Sequence, residues 1–226
     1  MAHPIPAALN VVMLGPPGAG KGTQAERFAR THNLPKISTG DILREAIHDD
    51  TELGRSAKET IYAGGLVSDD VMIGIVGGRL KRPDTIPGFV LDGFPRTVVQ
   101  ATALDDLMQG RGALVVVDIV VPEDVLLRRL AARRICGSCG VNALVEWTTT
   151  CGNCGGALVT RTDDGIGIVR ERLKVYHRQT KPIVDFYSKR PTFRTIDGNQ
   201  PPDHVTTLMD QAICQASSVN ANGVRL

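Results

Sequence analysis

Short apolar runs alternate along this chain with longer stretches in which apolar residues return every three to four positions. The runs at 9–14, 35–38, 88–91, 113–119 and 192–196 have the length and composition of buried strands. Between them, 24–31, 41–48, 52–63, 69–80, 98–108, 123–134 and 168–187 carry the helical period. The last is the clearest, with Val169, Leu173, Tyr176, Thr180, Ile183 and Tyr187 on one face, and Pro182 predicts a kink or break within it. A further helix follows Pro201 and Pro202, its apolar face formed by Val205, Leu208, Met209, Ala212 and Ile213. Strands separated by helices predict an α/β fold, a five-stranded parallel sheet in a three-layer α/β/α arrangement.

One segment, 135–167, breaks this rhythm: it is rich in Gly, Thr and Cys, has no helical period, and reads as an insertion between two good helices. With 226 residues and 42% hydrophobic content, the chain can bury one substantial core carrying small insertions. A net charge of +2 is too small for a dedicated nucleic-acid binder, although it can conceal a local basic cleft. The N-terminus lacks the basic start and cleavage site of a secretory signal, and no run approaches the ~18 apolar residues of a membrane span. A soluble, cytoplasmic protein with no nucleic-acid or membrane partner is expected, with a polar tail at 217–226 that frays.

The first strand runs into Gly15-Pro16-Pro17-Gly18-Ala19-Gly20-Lys21-Gly22-Thr23, and a helix follows. In that context the pattern is a phosphate-binding P-loop: glycines let backbone N–H groups turn inward, the helix N-terminus adds its positive end, and Lys21 adds a mobile charge. Gly18, Ala19, Gly20, Lys21, Gly22 and Thr23 are therefore candidate phosphate contacts. Where many nucleotide hydrolases place a Ser or Thr on Mg²⁺, this chain has Gly22, with the hydroxyl one residue later at Thr23. The metal is then held mainly by phosphates and water. Asp92, ending the apolar run Phe89-Val90-Leu91, is the carboxylate placed to order those waters, or else a cap for the turn at Gly93.

Arg44, Arg96, Arg129, Arg133, Arg161 and Arg172, spread far along the chain, point to a second phosphorylated molecule. Arg129 and Arg133 lie four apart beside the apolar stripe Leu126, Leu127, Leu130 and Ala131, which puts both on the flank of the buried helix face. No acid/base constellation is evident, and an acceptor that is itself an ionised phosphate needs none.

Within the insertion, Cys136-Gly-Ser-Cys139-Gly140 and Cys151-Gly-Asn-Cys154-Gly155 form two matched knuckles. Four thiolates suit tetrahedral Zn²⁺, and a glycine after each pair allows a tight turn that aims N–H groups at sulfur. Disulfides are the competing reading, disfavoured by a cytoplasmic setting. A segment of about thirty residues cannot bury enough apolar surface to fold alone, so the zinc is structural. Cys214 reads as a free thiol.

The stretches GPPGAGKGTQ at 15–24, STGD at 38–41, GGLVSDD at 64–70, GFVLDGFPRT at 88–97, RLAARR at 129–134, TRTDD at 160–164, VRERLKVYH at 169–177 and IDG at 196–198 resemble, in order, adenylate kinases of the long-lid type, a group of nucleoside monophosphate kinases. The resemblance implies a P-loop core formed by 1–37, 68–134 and 168–226, a helical AMP-binding segment at 38–67, and a small zinc-ribbon-like β lid at 135–167. It implies the reaction MgATP + AMP ⇌ 2 ADP in a monomer, with Mg²⁺ carried by ATP and Zn²⁺ in the lid. Thr39, Arg44, Arg96 and Gln100 would hold AMP, with Leu66, Val67 and Gly93 beside it. Lys21, Arg129, Arg133, Arg161 and Arg172 would act with Arg96 on the phosphates, Arg161 and Arg172 also touching AMP, while Gly198 would lie near the ATP adenine.

The chain departs from that pattern in three places. Fewer residues separate the cysteine pairs, Ala132 stands where Gly is common, and Gly165-Ile166-Gly167-Ile168 replaces an acidic stretch, which makes that joint more flexible. Asp163 and Asp164 either orient the lid arginines or face water. From another functional class, a P-loop joined to a zinc ribbon would also fit a nucleotide-gated nucleic-acid binder, against which the near-neutral charge and single Trp argue.

Overall fold

The computed structural model describes residues 8–143 and 147–218. The expectations for the first residues and for 219–226 concern residues outside these; Ser217, where the fraying tail is expected to begin, instead ends the last helix and is buried. Five strands, β1 (Leu9–Leu14), β2 (Lys36–Ser38), β3 (Gly88–Asp92), β4 (Leu114–Val120) and β7 (Phe193–Asp197), form a parallel sheet in the order β2-β3-β1-β4-β7. Register is set along β1, where Leu9 lies opposite Gly88 of β3 and Leu14 opposite Asp118 of β4.

Every residue of β1 is buried, as a strand covered on both faces requires. On β4, Val115, Val117 and Ile119 pack towards α1 (Lys21–Thr31), α6 (Glu123–Ala132) and α9 (Pro202–Ser217). Val116 faces the opposite layer, formed by α4 (Asp69–Leu80), α5 (Val98–Leu107) and α8 (Lys181–Ser188). The three-layer expectation holds, and each strand begins and ends within two residues of the position read from the sequence.

Helix boundaries differ more, for local reasons. Helix α1 starts at Lys21, inside the phosphate loop, because Gly20 in a left-handed conformation makes the turn. Between β2 and α4 the chain builds α2 (Thr39–His48) and α3 (Glu52–Tyr62), whose starts are capped by Ser38 Oγ and Thr51 Oγ1. Helix α6 stops at Ala132, so Arg133 takes an extended backbone and leaves the helix that the sequence placed it on.

The kink expected at Pro182 lies upstream of it. Helix α7 (Ile166–Val175) passes into a π-helical turn at Tyr176–Thr180, and α8 follows. Pro182 is the second residue of α8, directly after the π turn in one unbroken helical run, so its missing N–H and the shifted hydrogen-bond ladder fall together. The irregularity is the π turn, a form that recurs at functional sites.

The cysteine-rich insertion contains a two-stranded antiparallel sheet, β5 (Ile135–Cys136) with β6 (Leu158–Val159), extended by bridges Ile135 to Asn142 and Thr150 to Ala157. Among the described residues no helix is long and apolar enough to cross a membrane.

Candidate active site

Strands β1, β3 and β4 all end at one edge of the sheet, where α/β folds bind ligands. Gly15, Gly18 and Gly20 take positive φ there, and Lys21 Nζ donates to the carbonyls of Gly15 (2.7 Å) and Pro16 (2.9 Å). Burial pulls the Lys21 ammonium down to about 8, against the opposing pull of Asp92 and with Arg96, Arg172 and Arg133 adding to the shift. Gly22 lies against Asp92: a Cβ there would meet Asp92 Oδ2 at 3.2 Å, a tight contact that a Ser or Thr could make only if the carboxylate moved by a few tenths of an ångström.

Beside the loop, Gly198 donates to Val120 O (2.8 Å) and its carbonyl accepts from Arg129 Nη2 (2.9 Å). A Cβ on Gly198 would sit 2.5 Å from Ile119 and 3.3 Å from Ala19 O. Arg129 and Gly198 are therefore together beside the loop, and neither lines the cleft that Lys21 faces.

That cleft is bounded by Lys21, Thr39, Arg44, Leu66, Val67, Gly93, Arg96, Gln100 and Arg172. Thr39 is buried and donates to Gly93 O (2.8 Å); Ser38, not Thr39, caps the helix. Arg96 Nε donates to the same carbonyl at 2.8 Å. The Arg96 backbone is pinned at both ends: its N–H donates to Gln100 Oε1 (2.8 Å), and its carbonyl accepts from Thr180 Oγ1 of the π turn (3.0 Å). The preceding Phe94–Pro95 peptide is cis. Gln100 is buried rather than a surface amide, and its Nε2 donates to Asp69 Oδ1 at 2.8 Å. Arg44 pairs with Asp41. Burial and neighbouring arginines lower the Arg44 and Arg96 guanidiniums below their ordinary value.

Above the cleft, the second arginine group is held by the aspartate pair, which settles their orientation. Asp163 accepts from Arg161 Nε (2.9 Å) and Nη2 (2.6 Å) and lies 3.1 Å from Arg172 Nη1. Asp164 accepts from Arg133 Nε (2.6 Å) and Arg172 Nη1 (3.1 Å). Both carboxylates are buried. Burial alone would raise Asp163, but Arg161, then Arg172 and Arg44, holds it down to about 2. Burial lowers Arg172 to about 10, Asp163 opposing the shift. Asn142 of the insertion comes within 4.0 Å of where a Gly22 Cβ would lie, so the insertion reaches over the phosphate loop.

The four knuckle cysteines converge, their sulfurs all within 4.8 Å of one another. Cys136 to Cys154 is 3.4 Å and Cys139 to Cys151 is 3.7 Å, against about 3.8 Å for thiolates arranged tetrahedrally on zinc. Gly140 and Gly155 take φ +70° and +74°, and the N–H groups of Ser138, Cys139 and Asn153 point at sulfur. The Cys139 N–H, before others, draws the Cys136 thiol down to about 6. Cys154, although aided by the Gly156 N–H, is pushed up to about 12 by the sulfurs of Cys136 and Cys139. Four thiolates side by side thus call for a cation, and the donor set fits zinc. Cys214 is unbridged and apart from this cluster.

Sequence reasoning passed over Asp118, hidden within an apolar run. It is buried on β4, Oδ1 has no hydrogen-bond partner, and burial raises its pKa although Lys21 opposes the shift. A carboxyl whose pKa rises on folding favours the folded state at low pH and loses that contribution as pH rises past its folded value. Asp118→Val should therefore raise stability at pH 8 by about 1–3 kcal/mol, and by less at pH 4. Equal melting temperatures for variant and parent at pH 8 would contradict this.

A phosphate loop facing an arginine-lined cleft for a second anion defines a P-loop phosphotransferase acting between two phosphorylated substrates. Residues 13–192 match the family model described as adenylate kinase. The chain is 46% identical over 199 residues to the adenylate kinase of Archaeoglobus fulgidus, covering 85% of this chain and 92% of that one. It is 47% identical over 212 residues to that of Moorella thermoacetica and 46% over 213 residues to that of Streptomyces coelicolor, in both cases covering 91% of this chain and 98% of the relative. The chain belongs to the adenylate kinase family.

Proposed function

We propose that the two sides of this cleft hold ATP and AMP and that the arginines between them carry the phosphoryl transfer, MgATP + AMP ⇌ 2 ADP. The observation that supports it is the convergence of Lys21, Arg44, Arg96 and Arg172 on one cleft, from four separate segments of the chain. Phosphoryl transfer brings several negative groups together, so neutralisation and in-line positioning supply most of the catalysis.

In this reading residues 18–23 wrap the ATP phosphates, and Arg129 with Gly198 lies at the ATP end. Thr39, Arg44, Arg96 and Gln100 hold AMP, with Leu66, Val67 and Gly93 against its base and ribose. Arg133, Arg161 and Arg172 exchange Asp163 and Asp164 for phosphate oxygens, Arg161 and Arg172 reaching the acceptor as well. Mg²⁺ arrives with ATP and supplies charge neutralisation on its phosphates. Asp92, against Gly22, is placed to accept from that ion's waters.

Residues 38–67 form the acceptor-binding part and 135–167 a lid, each moving against a core of 1–37, 68–134 and 168–226. Zn²⁺ held by Cys136, Cys139, Cys151 and Cys154 braces the lid; with four protein ligands it keeps no open position and takes no part in the chemistry. The polypeptide works as a cytoplasmic monomer on ATP, AMP and ADP, without nucleic acid or membrane.

Arg96→Ala tests the acceptor side. Its guanidinium is fixed by Gly93, so its loss should raise the AMP KM and lower kcat, together by about 100-fold in kcat/KM, while the ATP KM changes little. An ADP-forming assay titrated in each nucleotide separates the two, and an unchanged AMP response would refute the assignment.

A further inference from the structure

One carboxylate beside the cleft touches no assigned phosphate site, yet it governs a residue that does face the acceptor. Asp69 Oδ1 accepts from Gln100 Nε2 (2.8 Å) and from Thr97 Oγ1 (3.0 Å), while Gln100 Oε1 accepts from the Arg96 N–H (2.8 Å). Asp69 opens α4 and reads in the sequence as a first-turn acid suited to the helix dipole.

A primary amide free of such contacts turns over readily, exchanging its oxygen and nitrogen. Here it cannot, because a carboxylate only accepts and a peptide N–H only donates. Turning Gln100 over would set carbonyl oxygen against carboxylate and NH₂ against N–H, two mismatches in a buried place. In the fixed orientation Nε2 keeps one hydrogen and Oε1 one lone pair, so the amide shows a donor and an acceptor in constant order.

The purines differ in just this order. A 6-aminopurine sets an amino donor beside a ring-nitrogen acceptor, whereas a 6-oxopurine sets a carbonyl acceptor beside an N–H donor. We propose that Asp69 is a specificity-determining positioning residue: by fixing the orientation of Gln100, it makes the acceptor site take a 6-aminopurine monophosphate and refuse a 6-oxopurine one. This rests on the reading that Gln100 faces the acceptor base.

The test compares AMP with inosine monophosphate, whose base keeps adenine's shape and reverses that edge. The ratio of their kcat/KM values, measured on one preparation, is insensitive to partial unfolding. Asp69→Ala should lower the AMP:IMP ratio about tenfold, through a higher AMP KM and with the ATP KM unchanged. Asp69→Asn, which keeps an oxygen to accept from Nε2, should stay within about threefold of the parent. In a Gln100→Leu background, Asp69→Ala should leave the ratio where Gln100→Leu alone puts it. A parental ratio in Asp69→Ala, an equal loss with both acceptors, or a further shift in the Gln100→Leu background would overturn the proposal. A parent enzyme that phosphorylates IMP as readily as AMP would overturn the acceptor reading beneath it, and the proposal with it.

Discussion

Lys21→Ala should lower kcat by about 10³-fold while leaving the protein folded. The ammonium is the one mobile full charge on the phosphate loop, and it is already turned inward onto the carbonyls of Gly15 and Pro16, from which it moves to phosphate oxygens with little rearrangement. Donors aimed at charge that develops in the transition state are worth about 10²–10³ in rate each, and more in phosphoryl transfer. Folding also separates the chemical loss from instability. Because burial pulls Lys21 down to about 8, the folded protein bears a desolvation cost below that pH, which fades as pH rises towards the ordinary lysine value of 10.5. Removing the side chain removes that cost, so the variant should melt no lower than the parent at pH 7. In the parent, kcat/KM for ATP should fall as pH rises through about 8 and the ammonium is lost from the free enzyme. Steady-state rates, a melting curve and a pH profile check the three parts. A variant retaining a tenth of parental turnover would remove Lys21 from the mechanism.

Stripping the metal should lower turnover by about 100-fold while the sheet still melts cooperatively. Among its described residues the insertion has two two-residue strands of its own and two isolated bridges, too little to stay ordered without the sulfur cluster. Its end carries Arg161 and its start adjoins Arg133, so disorder there displaces two of the guanidiniums assigned to the transferred phosphate. Misplacing such a group by about 1 Å already costs on the order of 10² in rate. Metal analysis should find about one zinc per chain, and chelation should add a separate low-temperature transition to the melting curve. Cys136→Ser with Cys139→Ser should do the same. Fully active protein with no bound metal and four titratable thiols would refute the bracing role.

The three central strands, β1, β3 and β4, were legible because each is a nearly unbroken apolar run, as a parallel sheet covered on both faces demands, while the edge strands β2 and β7 are mixed in composition. Helix starts were less so. Helix α1 begins inside the glycine loop, ahead of any apolar period, and the end of α6 depends on Arg133 turning away to meet Asp164 thirty-one residues on. The π turn left no trace, since it keeps Tyr176 and Thr180 on an apparently helical face. The cysteine spacing spoke plainly because glycine after each pair has a backbone reason. Pairings such as Asp163 with Arg172 cannot be read from a linear pattern, which shows charge but not what it will face. Asp118 and Asp69 were missed for opposite reasons, one submerged in valines and the other looking like an ordinary helix start.

If residues 135–167 close as the proposed lid, the aspartates that clasp Arg133, Arg161 and Arg172 would alter what that closure costs. Without them, bringing three guanidiniums towards Lys21 and Arg96 would crowd bare positive charge into a site with little water, and only bound nucleotide could bring the parts together. With them, each of the three guanidiniums already has a carboxylate counter-ion, so the proposed lid would close on paired rather than bare charge. In that proposed reading substrate would act by substitution, offering each arginine a phosphate in exchange for a carboxylate, and its grip would depend on the difference between two anions rather than on the full attraction of one.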